Sequence, residues 1–266
     1  IGSMPKVKGD ATFRDTTVSF LKFYYHVLND DYAKIVNMEE IAEQSYDEME
    51  AYTMLKEQVE QKLREANEKV KEAHVQFAAK NNMTLIDSKD KINEMMKQVG
   101  EVNRYYNKLH LIFFKPYIEE NYLIKAIDKN NINGIEQNKA ALLKYAQEGL
   151  VQLAAVKSFN GDNSVKDACK QMLDFYIKEV NNNIKIVTDF FLTKERFENI
   201  KKEYEKKSSH TNDEIAAFNK AVNEINSASD AYNRNNNSMN ETRFESLKNW
   251  NKAGDSFFDE QMPKYK

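Results

Sequence analysis

The stretch EMEAYTMLKEQVEQKLREANEKVKEAHVQFAAK, residues 48–80, contains neither glycine nor proline and sets a regular apolar pattern in a heavily charged background. Its apolar side chains recur three, four or seven residues apart, at Met49, Tyr52, Val59, Leu63, Ala66 and Val70. This spacing places them on one face of an α-helix. The rest of the chain is similar, with only 7 glycines and 3 prolines in 266 residues, and no strand-like alternation persists. The sequence therefore predicts an all-α fold, an elongated bundle of about five to seven long helices with coiled-coil-like packing.

The sequence leaves two possible helix boundaries undecided between residues 12 and 80. The first apolar pattern begins near Thr12 and has the spacing of a coiled-coil seam, at Val18, Leu21, Tyr25, Leu28, Tyr32 and Ile35. Asp30-Asp31 could cap a new helix, and Ser45-Tyr46-Asp47-Glu48 has the form of a capping box. Neither site carries glycine or proline, so one helix bent at these points is equally consistent with the sequence.

The middle of the chain contains stronger breaks. Residues 81–83 predict a turn, and Asp87 or Ser88 is expected to cap the next helix. Pro116 predicts a kink or a short break in that helix, because proline in a helix interior costs about 3 kcal/mol. The pattern stops at residues 129–134, a fourth helix is predicted over residues 135–157, and residues 159–163 form the strongest turn signal.

The last third predicts two long helical regions. The first runs from Ser164 to about Leu192, with one face formed by Val165, Cys169, Met172 and Tyr176, and Thr193 is a candidate N-cap for its continuation. The second follows a capping box at residues 211–214 and runs to about Asp259, with a break open near residues 235–237. Residues 12–262 are predicted to form a single helical-bundle domain. Residues 1–11 are predicted to be flexible, and their first four residues, Ile-Gly-Ser-Met, are typical of a cloning scar.

Composition limits the classes of function. With 15 Phe and 14 Tyr, the chain has enough aromatic side chains to predict a folded core. A net charge of −3 gives no basic surplus, so no nucleic-acid partner is expected. The single cysteine, Cys169, excludes an intrachain disulfide and is predicted to be a buried apolar residue. No apolar run approaches the length of about 20 residues that crosses a bilayer, and Leu111-Ile112-Phe113-Phe114 is too short for the hydrophobic hairpin of a membrane-active toxin.

The sequence contains no motif for catalysis, a metal or a cofactor. Residues 129–140 resemble a calcium-binding loop, but Lys129 and Ala140 occupy the positions that require acidic ligands, so a turn explains them better. No histidine has a glutamate three residues before it, as a di-iron bundle requires; the histidines are His26, His74, His110 and His210. We therefore expect a non-enzymatic protein with no metal and no cofactor.

One polar pattern stands out in the final helical region. Asparagines and one aspartate recur at spacings of four and three, at Asn219, Asn223, Asn226, Asp230, Asn233, Asn237 and Asn240. An apolar stripe runs beside this asparagine ladder: Phe218, Val222, Ile225, Ser229, Tyr232 and Met239. Asparagine is a poor helix former, so the pattern calls for an explanation. The ladder either fixes helix register through hydrogen bonds across the bundle, which is the favoured interpretation, or lines a polar groove that binds amide or hydroxyl groups.

The C-terminal part of the chain resembles an uncharacterised family of bacterial surface proteins or putative lipoproteins found in spirochaetes and Bacteroidetes-type bacteria. The resemblance covers roughly residues 110–263. Its C-terminal signature is Tyr232-Asn233, Arg243, Trp250-Asn251, Phe257-Phe258-Asp259 and Met262-Pro263. Its central motifs are Lys115-Pro116-Tyr117-Ile118-Glu119, Ala146-Gln147-Glu148-Gly149-Leu150, Phe159-Asn160-Gly161-Asp162 and Leu173-Asp174-Phe175-Tyr176.

The resemblance implies a location in the bacterial cell envelope, in the periplasm or on the outer surface. Family members often carry a lipobox cysteine that anchors them to a membrane, and this chain shows none, which a trimmed leader would explain. The resemblance implies no catalytic residue, and it suggests that Trp250 and Phe257 pack the bundle closed. The expected partner is an unidentified protein or envelope ligand, with membrane contact only through a lipid anchor. The alternative is an intracellular coiled-coil scaffold that binds partner helices, suggested by residues 48–80.

Overall fold

The structure is a computed structural model that describes residues 1–85 and 91–264. Apart from two isolated β-bridges, the regular elements in those ranges are helices, so the all-α prediction is confirmed. The α-helices are α1 (Thr12–His26), α2 (Tyr32–Ala42), α3 (Tyr46–Lys80), α4 (Lys91–Asp128), α5 (Ile132–Ala154), α6 (Ser164–Lys178), α7 (Ile184–Glu205) and α8 (Asn212–Gln261). Two π-helical turns, Val27–Asp31 and Glu179–Asn183, join α1 to α2 and α6 to α7 without interruption. The described ranges therefore hold six continuous helical runs, within the number predicted.

The two capping boxes predicted from the sequence are present at helix starts. Ser45 caps α3: its hydroxyl accepts a hydrogen bond from the Glu48 backbone N–H at 3.2 Å and donates one to the Glu48 carboxylate at 3.0 Å. Thr211 and Glu214 form the second predicted capping box, with reciprocal hydrogen bonds of 3.3 and 2.9 Å. The turns at residues 81–83 and 159–163 are also present. Asp87 and Ser88 lie outside the described residues.

Several of the breaks that the sequence left open are absent, because the helices continue through these positions. Helix α4 continues past Pro116, with Phe113, Phe114 and Ile118 buried on both sides of it. Thr193 is not an N-cap, since its hydroxyl donates to the Asp189 carbonyl oxygen within α7. Asp30-Asp31 begins no separate helix, because the π-helical turn spans it. Helix α8 runs unbroken through residues 235–237, and α5 begins three residues earlier than predicted.

Residue contacts divide the chain into two compact units, residues 1–107 with 262–266, and residues 108–261. In the first unit, α1 and α2 pack along α3 around a core of Val27, Ile35 and Val59. The end of α3 meets the start of α1, where Phe13 stacks on His74 with 5.1 Å between ring centroids. The single domain predicted for residues 12–262 stays a prediction, because contact density does not measure whether a unit folds alone.

Most of the predicted seam of the first helical run lies outside its core face. Ile35 is buried in the core as predicted, together with Val27, whereas Leu21, Tyr25, Leu28 and Tyr32 are exposed. The sequence carries two adjacent apolar stripes here, and α3 covers the one that contains Phe13, Phe23 and Val27. The other stripe is left on the surface.

The second unit packs α5, α6, α7 and α8 with the C-terminal half of α4 around a large apolar core. Its fully buried side chains include Leu109, Leu123, Leu142, Met172, Leu173, Tyr176, Ile184 and Phe257. Trp250 stacks on Phe113 with 4.4 Å between ring centroids, and Phe257 meets Phe159 edge-on at 5.4 Å. These two aromatic residues of α8 thus pack against earlier elements, as the resemblance suggested. The predicted face of α6, from Val165 to Tyr176, is buried.

Candidate functional site

The seven ladder residues are all exposed on α8. The neighbouring stripe is turned toward α7, where Tyr232 stacks on Phe190 at 4.5 Å and Phe218 approaches Phe197 at 6.2 Å. Because the ladder borders this stripe on its solvent side, its amides do not cross the bundle core. The interpretation of the ladder as a buried register device is therefore corrected, and the polar-groove interpretation stays a prediction.

Two ladder residues line a shallow groove between α7 and α8. Thr193 and Arg196 form one wall, and the other is formed by Ala216, Asn219, Lys220, Asn223, Glu224 and Ser227. Arg196 forms an ion pair with Glu224 across the groove. Amide, hydroxyl and charged groups thus meet in an open surface depression, where hydrogen-bond donors and acceptors are both available.

The second unit also contains a buried charged cluster that the sequence analysis did not single out. Arg243 of α8 donates from Nε to Glu120 Oε1 of α4 and from Nη2 to Glu179 Oε1, each at 2.5 Å. Its Nη1 donates to Asn240 at 2.6 Å. Both glutamate side chains are only 1% exposed. One guanidinium therefore serves two buried carboxyl groups from separate elements.

This arrangement favours one shared proton. Burial raises the pKa of Glu179, and the nearby Glu120 carboxylate raises it further, while Arg243 acts in the opposite direction. Burial also raises the pKa of Glu120. Two carboxylates close together cannot both ionise cheaply when a single cation compensates them. A proton on the pair leaves the cluster neutral, and the direction of the Glu179 shift places that proton there at neutral pH.

The π-helical turn Glu179–Asn183 positions this cluster and a second polar contact. Asn183 Nδ2 donates to Asn235 Oδ1 at 2.7 Å, and Asn235 Nδ2 donates to the Asn183 carbonyl oxygen at 3.2 Å. Asn235 is buried and is not a member of the ladder. Both ends of the turn are thus tied to α8, one through Arg243 and one through Asn235. Asn235 thus makes hydrogen bonds between helices of the kind that the sequence predicted for the ladder.

Two polar atoms beside the cluster lack a hydrogen-bond partner within the described residues. These are Glu179 Oε2 and the hydroxyl of Tyr176, one helical turn before it. Burial, followed by the charges of Glu120 and Glu179, raises the pKa of Tyr176 well above its ordinary value. Glu179 Oε1 accepts from Arg243, so Oε2 is the oxygen left to carry a proton.

The four histidines and Cys169 each lie beside different neighbours. His110 stacks on Phe114 at 5.6 Å, and burial lowers its pKa to about 4, so it is neutral near pH 7. Burial raises the pKa of the Cys169 thiol to about 12, which suppresses its reactivity. The other histidines are separate from one another: His26 lies by Asp30, His74 by Phe13 and His210 on Tyr204.

No metal-binding geometry is found in the part of the chain that the structure describes. It holds no group of three or more His, Cys, Asp or Glu side chains arranged to bind a metal ion. In the segment that resembles a calcium loop, Asn131 caps α5 by accepting a hydrogen bond from the Gly134 N–H at 3.1 Å. This segment is therefore a helix start.

A weak signal for the buried cluster was present in the sequence. Arg243 belongs to the family-like C-terminal signature, and Glu120 follows the apolar positions of α4 at helical spacing. A charge at a core position of a helical pattern indicates a buried pair, but the partner cannot be assigned without the fold.

Comparisons with known proteins do not add a functional assignment. No family model matches the chain, and neither a curated protein nor a solved structure matches it. Among the described helices, none is long and apolar enough to span a membrane.

Proposed function

We propose that this is a non-enzymatic helical-bundle protein of the bacterial cell envelope that binds a ligand rich in amide and hydroxyl groups. The observation that carries the proposal is the asparagine ladder, seven residues in helical register that are all exposed on α8. An asparagine side chain both donates and accepts hydrogen bonds, so a row of them can match a repeating polar ligand. The groove between α7 and α8 is the part of this row where side chains of two helices converge.

The envelope location is supported by the resemblance of residues 110–263 to surface proteins and putative lipoproteins. The proposal includes a lipid anchor attached before the region that corresponds to this chain. Intact mass spectrometry of the native protein from its own cells tests this part, and an N-terminal diacylated cysteine is the expected result. Protease treatment of whole cells should also degrade the protein, whereas strict cytosolic fractionation would contradict an envelope location.

Ligand binding is tested with N-acetylglucosamine oligosaccharides, which carry amide and hydroxyl groups. We expect chemical-shift changes at residues 219–227 in NMR titrations, and we expect Asn223→Leu to abolish them. Because Asn223 is exposed, the unfolding free energy of this variant should lie within about 0.5 kcal/mol of the wild-type value. Asn249→Leu is the matched control, since Asn249 is an exposed asparagine of α8 beyond the ladder. Equal loss of binding in both variants, or no shift changes on this face with the wild type, would contradict the proposed groove.

A second candidate is an intracellular scaffold that binds partner helices. Helix α3 supports it, because its 35 residues form one continuous helix with a strongly charged exposed side. Recovery of the unprocessed, unmodified protein in the cytosolic fraction would favour this candidate over the envelope protein.

A further inference from the structure

The first helical run carries a row of large apolar side chains on the face turned away from α3. These residues, here called the outer stripe, are Leu21, Tyr24, Tyr25, Leu28, Tyr32 and Val36, and their exposed fractions lie between 40 and 64%. They recur at helical spacing, whereas Val27 and Ile35 face the core. We propose that the outer stripe binds the outer stripe of a second copy of this chain, with the two helices antiparallel about a two-fold axis.

The exposed area of the outer stripe is comparable with one side of a small dimer interface. A tyrosine side chain offers about 150–250 Å² of surface and leucine and valine offer less, so the outer stripe leaves at most roughly 600 Å² uncovered. Such a patch reaches the upper limit of what monomeric proteins commonly expose, about 300–600 Å². Two copies face to face would bury at most roughly 1,200 Å², where stable protein interfaces begin.

The order of Leu21, Tyr25, Leu28 and Tyr32 is self-complementary in the antiparallel orientation. With the two-fold axis between residues 26 and 27, Tyr25 faces Leu28 of the second copy and Leu21 faces its Tyr32. Each leucine therefore meets a tyrosine, and both surfaces of the interface are the same patch, as two-fold symmetry requires. A parallel pair in register instead places Tyr25 on Tyr25 and Leu21 on Leu21.

A groove on the stripe matches the shape that this pairing needs. It is lined by Val18, Leu21, Lys22 and Tyr25, together with His26 and the N-terminal Ile1 and Gly2. The first four are spaced i, i+3, i+4 and i+7, which is the four-residue hole that accepts a side chain in a coiled coil. In the antiparallel register, the side chain that enters this hole is Tyr32 of the second copy.

Cysteine cross-linking of the full chain tests the register directly. Leu21 and Tyr32 are 11 residues apart, about 16 Å along a helix, and cysteines whose Cα atoms lie more than about 7 Å apart cannot form a disulfide. A mixture of Leu21→Cys and Tyr32→Cys chains should therefore form a disulfide-linked dimer, and neither variant alone should. Native Cys169 is buried and will not compete. Disulfide-linked homodimers of each variant, with no mixed Leu21→Cys/Tyr32→Cys dimer in the mixture, would overturn the antiparallel register, and so would the absence of any disulfide-linked dimer.

Sedimentation velocity tests the association itself. The average mass of the wild type should rise from one chain toward two between micromolar and hundreds of micromolar concentrations. Tyr25→Lys with Leu28→Lys should keep the chain monomeric with unchanged helix content, because both positions are exposed. Val151→Lys is the matched control, as Val151 is an exposed apolar residue of α5, and it should associate like the wild type. A wild-type chain that stays monomeric, or a double-lysine variant that still dimerises, overturns the proposal.

Discussion

The buried carboxyl of Glu179 should make the stability of the second unit depend on pH. Burial and the neighbouring Glu120 raise its pKa from an ordinary value of 4.5 to about 8 in the folded chain. The folded state therefore holds a proton that the unfolded state releases, so stability is highest below pH 4.5 for this group and is lost as pH rises through 8. His110 has a lowered pKa and acts in the opposite direction, but only below about pH 6.5. The window from pH 6.5 to 8.5 isolates the carboxyl pair.

We predict that the wild type loses about 2 kcal/mol of unfolding free energy between pH 6.5 and 8.5. Glu179→Gln should remove this loss, because a glutamine keeps an acceptor for Arg243 and a donor toward Glu120 but cannot ionise. The variant should therefore be more stable than the wild type at pH 8.5. Urea unfolding at both pH values measures the effect.

Glu245→Gln serves as the control for this prediction. Glu245 lies on the same helix as Arg243 but is exposed and pairs only with Lys248 among the described residues. It should leave the pH dependence of the wild type unchanged. A flat wild-type profile, or a sloping profile in Glu179→Gln, would show that the pair holds no proton in the folded state.

At the scale of elements, the π-helical turn between α6 and α7 is held to α8 by reciprocal asparagine hydrogen bonds. We predict that Asn235→Leu destabilises the chain by about 1–3 kcal/mol, because Asn183 is left beside an apolar group. The double variant Asn183→Leu with Asn235→Leu should recover part of that loss, since an apolar pair leaves no polar side chain unsatisfied there. A double-mutant cycle in urea measures the coupling between the two residues.

A ladder residue gives the matched comparison for Asn235. Asn233 is on the same helix but exposed, so Asn233→Leu should change the unfolding free energy by no more than about 0.5 kcal/mol. Equal effects of Asn233→Leu and Asn235→Leu would return the register role to the ladder. Additive single effects would show that Asn183 and Asn235 are not coupled.

The same elements show which features of the fold can be predicted from the sequence and which cannot. Helix starts at Ser45 and Thr211 were predictable because a capping box is a local interaction between residues three apart. The course of α4 through Pro116 was not, because it depends on aromatic packing with residues far along the chain. The choice between two adjacent apolar stripes in the first helical run likewise depends on where α3 lies. The partners of Arg243, 123 and 64 residues away, required the fold itself.

At the scale of the whole molecule, the two units should respond differently to pH. The carboxyl pair lies in residues 108–261. Among the described residues of the first unit, the pKa is lowered to about 2 at Asp10 and raised from 10 at Tyr32 and Tyr46. All three lie outside the window from pH 6.5 to 8.5. We predict that hydrogen exchange, corrected for its intrinsic pH dependence, accelerates in residues 108–261 over this window and stays constant in residues 1–107.

Glu179→Gln tests whether the carboxyl pair causes this acceleration. It should slow exchange in residues 108–261 at pH 8.5 and leave residues 1–107 unaffected. Opening free energies within one cooperative unit change together, whereas those of separate units do not. Parallel acceleration of both ranges in the wild type, abolished in both by Glu179→Gln, would contradict the prediction. It would instead support the single domain over residues 12–262, because a proton lost from one buried carboxyl would then loosen the entire chain.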